Sequence, residues 1–269
     1  MHADAGLRDL APGNHYLKLE NLQRTGSFKD RGALNCMLRL TEAERARGVV
    51  TASAGNHAQA VAYHGGRLGI SVTVVMPETA PLIKVTNTRG YGADVIQVGT
   101  ILDDAAAEVQ RLAAEEELSI IHAFDDEDVI AGQGTMGLEI LEQVPDVSVV
   151  VVPVGGGGMI SGIACAIKEI KPDVRIIGVE ADAAASAKAS RDAGEVVKIA
   201  ASDTLADGIA TKRIGEITYP LIERYVDELV SVGEEEIAAA ILLLIEREKT
   251  VAEGAGAVGL AALMTGSGT

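Results

Sequence analysis

The run Val147-Ser148-Val149-Val150-Val151-Val152-Pro153-Val154-Gly155-Gly156-Gly157-Gly158-Met159-Ile160 decides how this chain is read. No charge occurs from Val147 to Ile167. Pro153 and four consecutive glycines would cripple a membrane-spanning helix. A buried strand, a tight loop and an apolar helix account for the same residues. Glycines cost backbone entropy and add no packing, so such a run suits a backbone that wraps an anion. No Lys-Ser/Thr pair follows, and the spacing is not GxGxxG, so this is not a nucleotide loop. It reads as a cradle for one phosphate without magnesium. A flexible connection is the plainer alternative.

The same strand–loop–helix unit recurs outward in both directions. β-Branched runs predict strands at Val49–Thr51, Ser71–Val75, Asp94–Val98, Ser119–Ile121, Val147–Val152, Val174–Val179 and Leu229–Val232. Helical periodicity covers Phe28–Leu40, Asn56–Leu68, Leu102–Glu117, Val129–Val144, Met159–Ile170 and Glu234–Lys249. Such alternation predicts an α/β protein with parallel sheets, and this many strands predict two lobes. Ligands in such folds gather where strands run into helices.

Composition narrows the function. The 269 residues carry 39 Asp and Glu against 23 Lys and Arg, a net charge of −16. That charge repels phosphate backbones, and aromatics at 3% supply no stacking platform, so nucleic acid is excluded as a partner. Cys36 and Cys165 build no disulfide framework and read as buried thiols of a reducing compartment. The opening Met1–Leu10 lacks a basic-then-apolar signal pattern, so a cytoplasmic protein without a membrane segment is expected.

Four further loops bear chemistry. In Thr25-Gly26-Ser27-Phe28-Lys29-Asp30-Arg31-Gly32, Ser27 is a candidate helix cap and Lys29 falls in the first helical turn. A cation is disfavoured there, whereas a neutral amine or a Schiff-base lysine is not. In Ser53-Ala54-Gly55-Asn56-His57-Ala58-Gln59, small residues and a helix start offer free N–H groups to a carboxylate or phosphate. Ala206-Asp207-Gly208 and Glu253-Gly254-Ala255-Gly256-Ala257 are weaker signals of close packing near a ligand. A phosphate cradle, an amine nucleophile and a carboxylate-binding turn together suggest pyridoxal phosphate acting on an amino acid.

The motif set resembles the fold-type II pyridoxal-phosphate enzymes, and within them the threonine dehydratase (threonine/serine ammonia-lyase) and serine racemase family. The resemblance runs from Tyr16 to Leu263. It is carried in order by Asn21–Ala33, Ser53–Gln59, Met76-Pro77-Glu78, Gly132-Gln133-Gly134-Thr135, Gly155–Gly158, Ala206–Gly208 and Glu253–Ala257. It implies a two-lobed, three-layer αβα architecture similar to the tryptophan synthase β chain, with the cofactor between the lobes. The large domain would be 1–47 plus 125–269 and the small, substrate-closing domain 48–124. Lys29 would form the internal aldimine and remove the α-proton. Phe28, Asn56, Gly155, Gly156, Gly157, Gly158, Met159, Gly208 and Glu253 would hold the cofactor. Ser53, Ala54, Gly55, Asn56 and His57 would line the substrate carboxylate site. The implied reaction converts L-threonine to 2-oxobutanoate, and L-serine to pyruvate, with release of ammonia. Ala54 stands where serine racemases place a second hydroxyl, which favours elimination over racemisation. Racemase-like activity and a cofactor-binding protein with little turnover are the alternatives. A homodimer is expected.

The sequence also departs from the family. It ends at Gly266-Ser267-Gly268-Thr269, without the Ser-Gly-Gly-Asn strand whose serine meets the cofactor ring nitrogen, and it lacks a Thr-Pro-Leu opening. It therefore reads as a shortened chain. A divalent or monovalent cation site would use Glu180 and the Ala184 carbonyl. The family's next carboxylate position is Ser186, with Asp182 as a substitute, and a solvated acidic loop is the favoured explanation of these residues.

Overall fold

A computed structural model describes residues 2–3 and 13–266. The Ser267 and Thr269 hydroxyls and most of the Met1–Leu10 segment considered above lie outside the described residues. The packing divides the chain into two compact units. Residues 22–132 form one, and the described residues up to Asn21 with Gln133 onward form the other. The short strands β1 (His2–Ala3) and β2 (Tyr16–Leu17) pair antiparallel.

The unit 22–132 begins with α1 (Lys29–Arg39) and α2 (Glu42–Arg47), the latter opened by a reciprocal Thr41–Glu44 capping box. It continues with β3 (Val49–Ala52), α3 (Asn56–Leu68), β4 (Val72–Met76), α4 (Leu82–Gly90), β5 (Asp94–Gln97), α5 (Leu102–Glu116) and β6 (Ser119–Ile120). The strands form one parallel sheet in the order β5-β4-β3-β6, with Val49 opposite Val72 and Val74 opposite Val95. Successive side chains alternate between faces. Val49, Val74 and Met76 pack with Ala33 and Met37 of α1 and with Ala58, Val61 and Ala62 of α3. Val50 and Val75 pack on the opposite face against Ala105, Val109 and Leu112 of α5. The result is three layers.

Helix α6 (Glu127–Gln143) runs from this unit into the other. There β7 (Val149–Pro153), α7 (Gly158–Lys168), β8 (Arg175–Ala181), α8 (Ser186–Ala193), α9 (Thr218–Tyr225), β9 (Glu228–Val232), α10 (Glu234–Glu248) and α11 (Gly254–Met264) follow. The sheet is parallel in the order β7-β8-β9, with Val150 opposite Ile176 and Gly178 opposite Leu229. Val179, Ala181 and Val232 pack with Ile237, Ala240 and Leu244 of α10 and with Val258 and Ala261 of α11. Ile160 of α7 lies against Gly178, on the face opposite Val179. This unit is also layered αβα, as the motif order implied.

Helix α1 packs on α3 through the Ala33/Ala58 core, within the unit 22–132. One expectation changes. Cys36 is buried, and burial with nearby Asp126 and Asp128 pushes its thiol up to about 12. Cys165, expected to be buried, is only half-buried.

Candidate active site

Lys29 is the first residue of α1, as the sequence predicts. Ser27 does not occupy the cap position, which falls to Phe28 without a side-chain cap, but the Ser27 hydroxyl accepts the Lys29 N–H at 3.3 Å. The Lys29 amine donates to the Ala123 carbonyl at 2.5 Å and lies 5.2 Å from the centre of the Phe28 ring. Ala123 belongs to the turn after β6, which no motif marked in advance.

Two imidazoles belong to the same neighbourhood. His57, in the first turn of α3, is 2% exposed. Its Nε2 lies 2.9 Å from the Ile121 carbonyl, which can only accept, so Nε2 carries the proton. Thr51 donates to the same carbonyl at 2.8 Å, which fixes the turn from both sides. His57 Nδ1 is buried without a partner. Burial, and then the Lys29 charge, push the His57 imidazolium down to about 3. His122 accepts the Asp125 amide at 2.7 Å and the Phe124 amide at 3.2 Å through Nδ1. Burial pushes it down as well, against the pull of Asp125 and with the push of Lys29. The amine therefore has two neutral rings as neighbours, and neither adds a competing positive charge. The His57 ring turns toward the sheet, so what it offers a substrate is its N–H at the helix start. Ser53 accepts the Gly55 amide at 3.1 Å and shapes the turn into α3, while Ala54 packs on the core beneath. Asn56 opens the helix. The first N–H groups of α3 have no acceptor within the helix and suit a carboxylate.

In the other unit, Gly155–Gly158 links β7 to α7, with Gly157 at the helix cap and Met159 in its first turn. Gly157 has φ +94°, and a Cβ there would lie 2.7 Å from Thr218 Oγ1. A Cβ on Gly155 would lie 3.0 Å from the Ile209 Cα. Thr218, fully buried at the start of α9, donates to the Gly156 carbonyl at 2.8 Å and accepts the Gly215 amide at 2.9 Å. Ser161 donates to the Thr218 carbonyl at 3.3 Å. The glycine loop is thus a shaped backbone cradle and not a loose connection, which fits a phosphate. Thr218 was missed in the sequence because its partner is 62 residues away. Gly208 lies against the Glu253 carboxylate, 3.3 Å from an ideal Cβ to Oε1, so these two predicted residues are brought together at the start of α11. Lys29, Phe28 and the Ser53–His57 turn are thus assembled in one unit, and the glycines, Met159, Gly208 and Glu253 in the other. An amine at a helix start and a side-chain-free anion cradle are the chemistry pyridoxal phosphate requires.

The cation expectation fares differently. Glu180 is fully buried and both of its oxygens are engaged. They accept the Ala187 amide at 2.7 Å and the Lys188 amide at 2.8 Å, which caps α8. Ala184 is buried in a short 3-10 turn, and Ser186 Oγ is buried without a partner. Among the described residues no group of three or more His, Cys, Asp or Glu could hold a metal.

Burial pushes the Glu180 carboxyl up from 4.5 to about 7, against its two amide bonds and the Lys188 and Arg191 charges. Between those values the folded state holds a proton that the unfolded state releases, so stability falls as pH rises through this window. A Glu180→Gln protein removes the step. Urea melts at about pH 5 and about pH 8 are expected to show the native chain losing on the order of 3 kcal/mol more than the variant. Parallel losses would contradict the assignment.

Comparison with known proteins supplies the family. Residues 5–268 match the family of pyridoxal-phosphate dependent enzymes. This chain belongs to that family. It is 54% identical to an L-threonine ammonia-lyase of Thermotoga maritima over 258 residues, 96% of this chain and 64% of that protein. The chain therefore spans less than two thirds of that relative's length. Among solved structures it resembles the processed form of threonine deaminase isoform 2 from Solanum lycopersicum, with a TM-score of 0.95 and 42% identity. That match covers 99% of this chain and 78% of the other. It also resembles the serine racemase of Dictyostelium discoideum, with a TM-score of 0.93 and 38% identity, covering 99% of this chain and 85% of the other. The fold is the fold-type II architecture of these enzymes. No helix among the described residues is long and apolar enough to cross a membrane.

Proposed function

We propose that this chain is a pyridoxal-phosphate-dependent ammonia-lyase that converts L-threonine to 2-oxobutanoate and L-serine to pyruvate, releasing ammonia. The observation that carries the reading is Lys29, an amine at a helix start, anchored on the Ala123 carbonyl beside two neutral imidazoles. The names of the similar proteins point the same way.

When bound, the cofactor supplies a carbonyl for the amine and an electron sink for negative charge at the substrate α-carbon. Lys29 Nζ would hold the cofactor and is the base placed to take the substrate α-proton. The amides of Gly155 to Met159 would hold its phosphate, with Phe28, Asn56, Gly208 and Glu253 as the other residues that would hold it. The Ser53–His57 turn would take the substrate carboxylate at the start of α3. Ala54 carries no hydroxyl, so position 54 delivers no proton to the second face of the α-carbon. Loss of the β-hydroxyl as water is then favoured over inversion. A divalent or monovalent cation held by Glu180 and the Ala184 carbonyl belongs to the same proposal, and no step is routed through it. The division into 1–47 plus 125–269 and 48–124, a homodimeric assembly and a cytoplasmic location belong to the same proposal.

Incubation with pyridoxal phosphate and each amino acid, followed by 2-oxo acid and chiral analysis, tests it. We expect 2-oxobutanoate and pyruvate to outpace any D-amino acid. D-Serine forming faster than pyruvate would replace the reading with a racemase. Tight cofactor binding without either product would leave a binding protein.

A further inference from the structure

We propose that Asp30 and His64 are positioning residues that hold the Lys29 segment on helix α3. This inference rests on Lys29 being the cofactor lysine. Asp30 follows Lys29 directly and is 6% exposed. A carboxylate this buried is rarely left without partners. Its Oδ2 accepts the Thr25 amide at 3.0 Å, and its Oδ1 accepts the Thr25 hydroxyl at 2.8 Å. Oδ1 also lies 3.2 Å from Nε2 of His64, which is 4% exposed on α3. Asp30 thereby closes the Thr25–Asp30 segment on itself and ties it to α3.

Burial alone would push the Asp30 carboxyl up. The His64 and Thr25 hydrogen bonds outweigh it and hold the group below the ordinary carboxylate range, so it is an anion in the native fold. A proton on His64 Nε2 donates to Asp30 Oδ1 in this geometry. His64 Nδ1 is buried without a partner. A leucine or phenylalanine at position 64 would fill the core without an orphaned nitrogen, so packing alone does not explain a histidine there. A second fastening runs alongside. The Arg24 guanidinium lies 5.9 Å over the Tyr63 ring, and Tyr63 meets His64 edge-to-face at 5.0 Å.

The consequence concerns where the reacting atom sits. His64 is two helical turns after His57, so both lie on one face of α3. The helix that presents the carboxylate-binding turn at its start therefore also holds the residue next to the lysine. α1 has no side-chain cap, and at its start the Ser27 hydroxyl holds only the Lys29 N–H at a long 3.3 Å, so the Asp30 bonds add to the fixing of the approach. A displacement of an ångström at a reacting group can cost about 10²-fold in rate.

The test uses the holoenzyme and compares His64→Phe, which keeps ring packing and removes the donor, with His64→Gln, which restores an N–H donor. Three quantities are read. They are amide hydrogen exchange at Thr25–Asp30, kcat and KM separately, and the visible circular dichroism of the cofactor. For His64→Phe we expect exchange of the Thr25 amide to rise about tenfold while global unfolding moves little. We expect kcat to fall about tenfold at nearly constant KM, with an altered cofactor dichroism. His64→Gln is expected to recover most of each change. Unchanged exchange and kcat in His64→Phe would overturn the proposal, and so would equal impairment of both variants. If His64→Phe does not fold, Thr25→Val removes one Asp30 bond with little change of shape and is judged by the same readouts. The native protein separates the two claims. If it forms no bond between Lys29 and the cofactor, the functional reading fails, while the exchange data still decide whether Asp30 and His64 hold the segment.

Discussion

Lys29→Ala is expected to abolish 2-oxo acid formation, by a factor on the order of 10³ or more, while leaving the fold intact. The side chain begins α1, is half-buried and is anchored on the Ala123 carbonyl, so its removal opens no core cavity. Urea unfolding is expected to shift by less than about 1 kcal/mol. Loss of the charge that helps push the His57 and His122 imidazoles down is expected to raise both part-way toward their ordinary range, because burial is the larger cause for each. Proton NMR titration of the ring protons checks this in the absence of substrate. Turnover that survives in Lys29→Ala would remove Lys29 from the chemistry. Imidazoles that do not respond would remove it from their neighbourhood.

Gly157→Val carries the second large effect. Residue 157 has φ +94°, a conformation that a β-branched side chain strongly resists. The space is also taken, because a Cβ would lie 2.7 Å from Thr218 Oγ1 and 2.9 Å from Ile222 Cδ1. Backbone strain and overpacking together are expected to cost about 2–5 kcal/mol of stability. The Thr218–Gly156 bond that shapes the loop is displaced with it. Cofactor affinity is expected to fall at least ~100-fold, about 3 kcal/mol, in a titration followed by absorbance. Thr218→Val is the companion, since it keeps the shape and removes the hydroxyl. It is expected to weaken cofactor binding roughly tenfold with a smaller loss of stability. Native cofactor affinity in folded Gly157→Val would show that this loop is not the phosphate site.

These effects divide along what the chain announces locally and what only the fold assembles. The start of α1 at Lys29, the bounds of α3 and the strand–glycine–helix passage from β7 to α7 were legible because period and turn residues agree there. Helix α4 was missed. Its Ile83, Val85, Thr86 and Thr88 favour strands, and packing of Val85 and Tyr91 on the core overrides that preference. Helix α9 was missed because Pro220 reads as a breaker, although the first turn of a helix tolerates proline. The site shows the same division. The glycines and Lys29 declare themselves by type and spacing. Ala123, Thr218 and His64 do not, because each acts on a residue 34 to 94 positions away and has no motif of its own. Glu180 is a further case, since its two amide bonds at the start of α8 join residues that no motif marked.

The most direct test of the central claim is reduction of the pyridoxal-phosphate-loaded protein with borohydride, followed by peptide mapping, alongside an assay of 2-oxobutanoate from L-threonine before reduction. A phosphopyridoxyl group on Lys29 near one per chain, with 2-oxobutanoate formed beforehand and none after, is the predicted result. A folded protein that carries no label, or carries it on a lysine other than Lys29, would contradict the account.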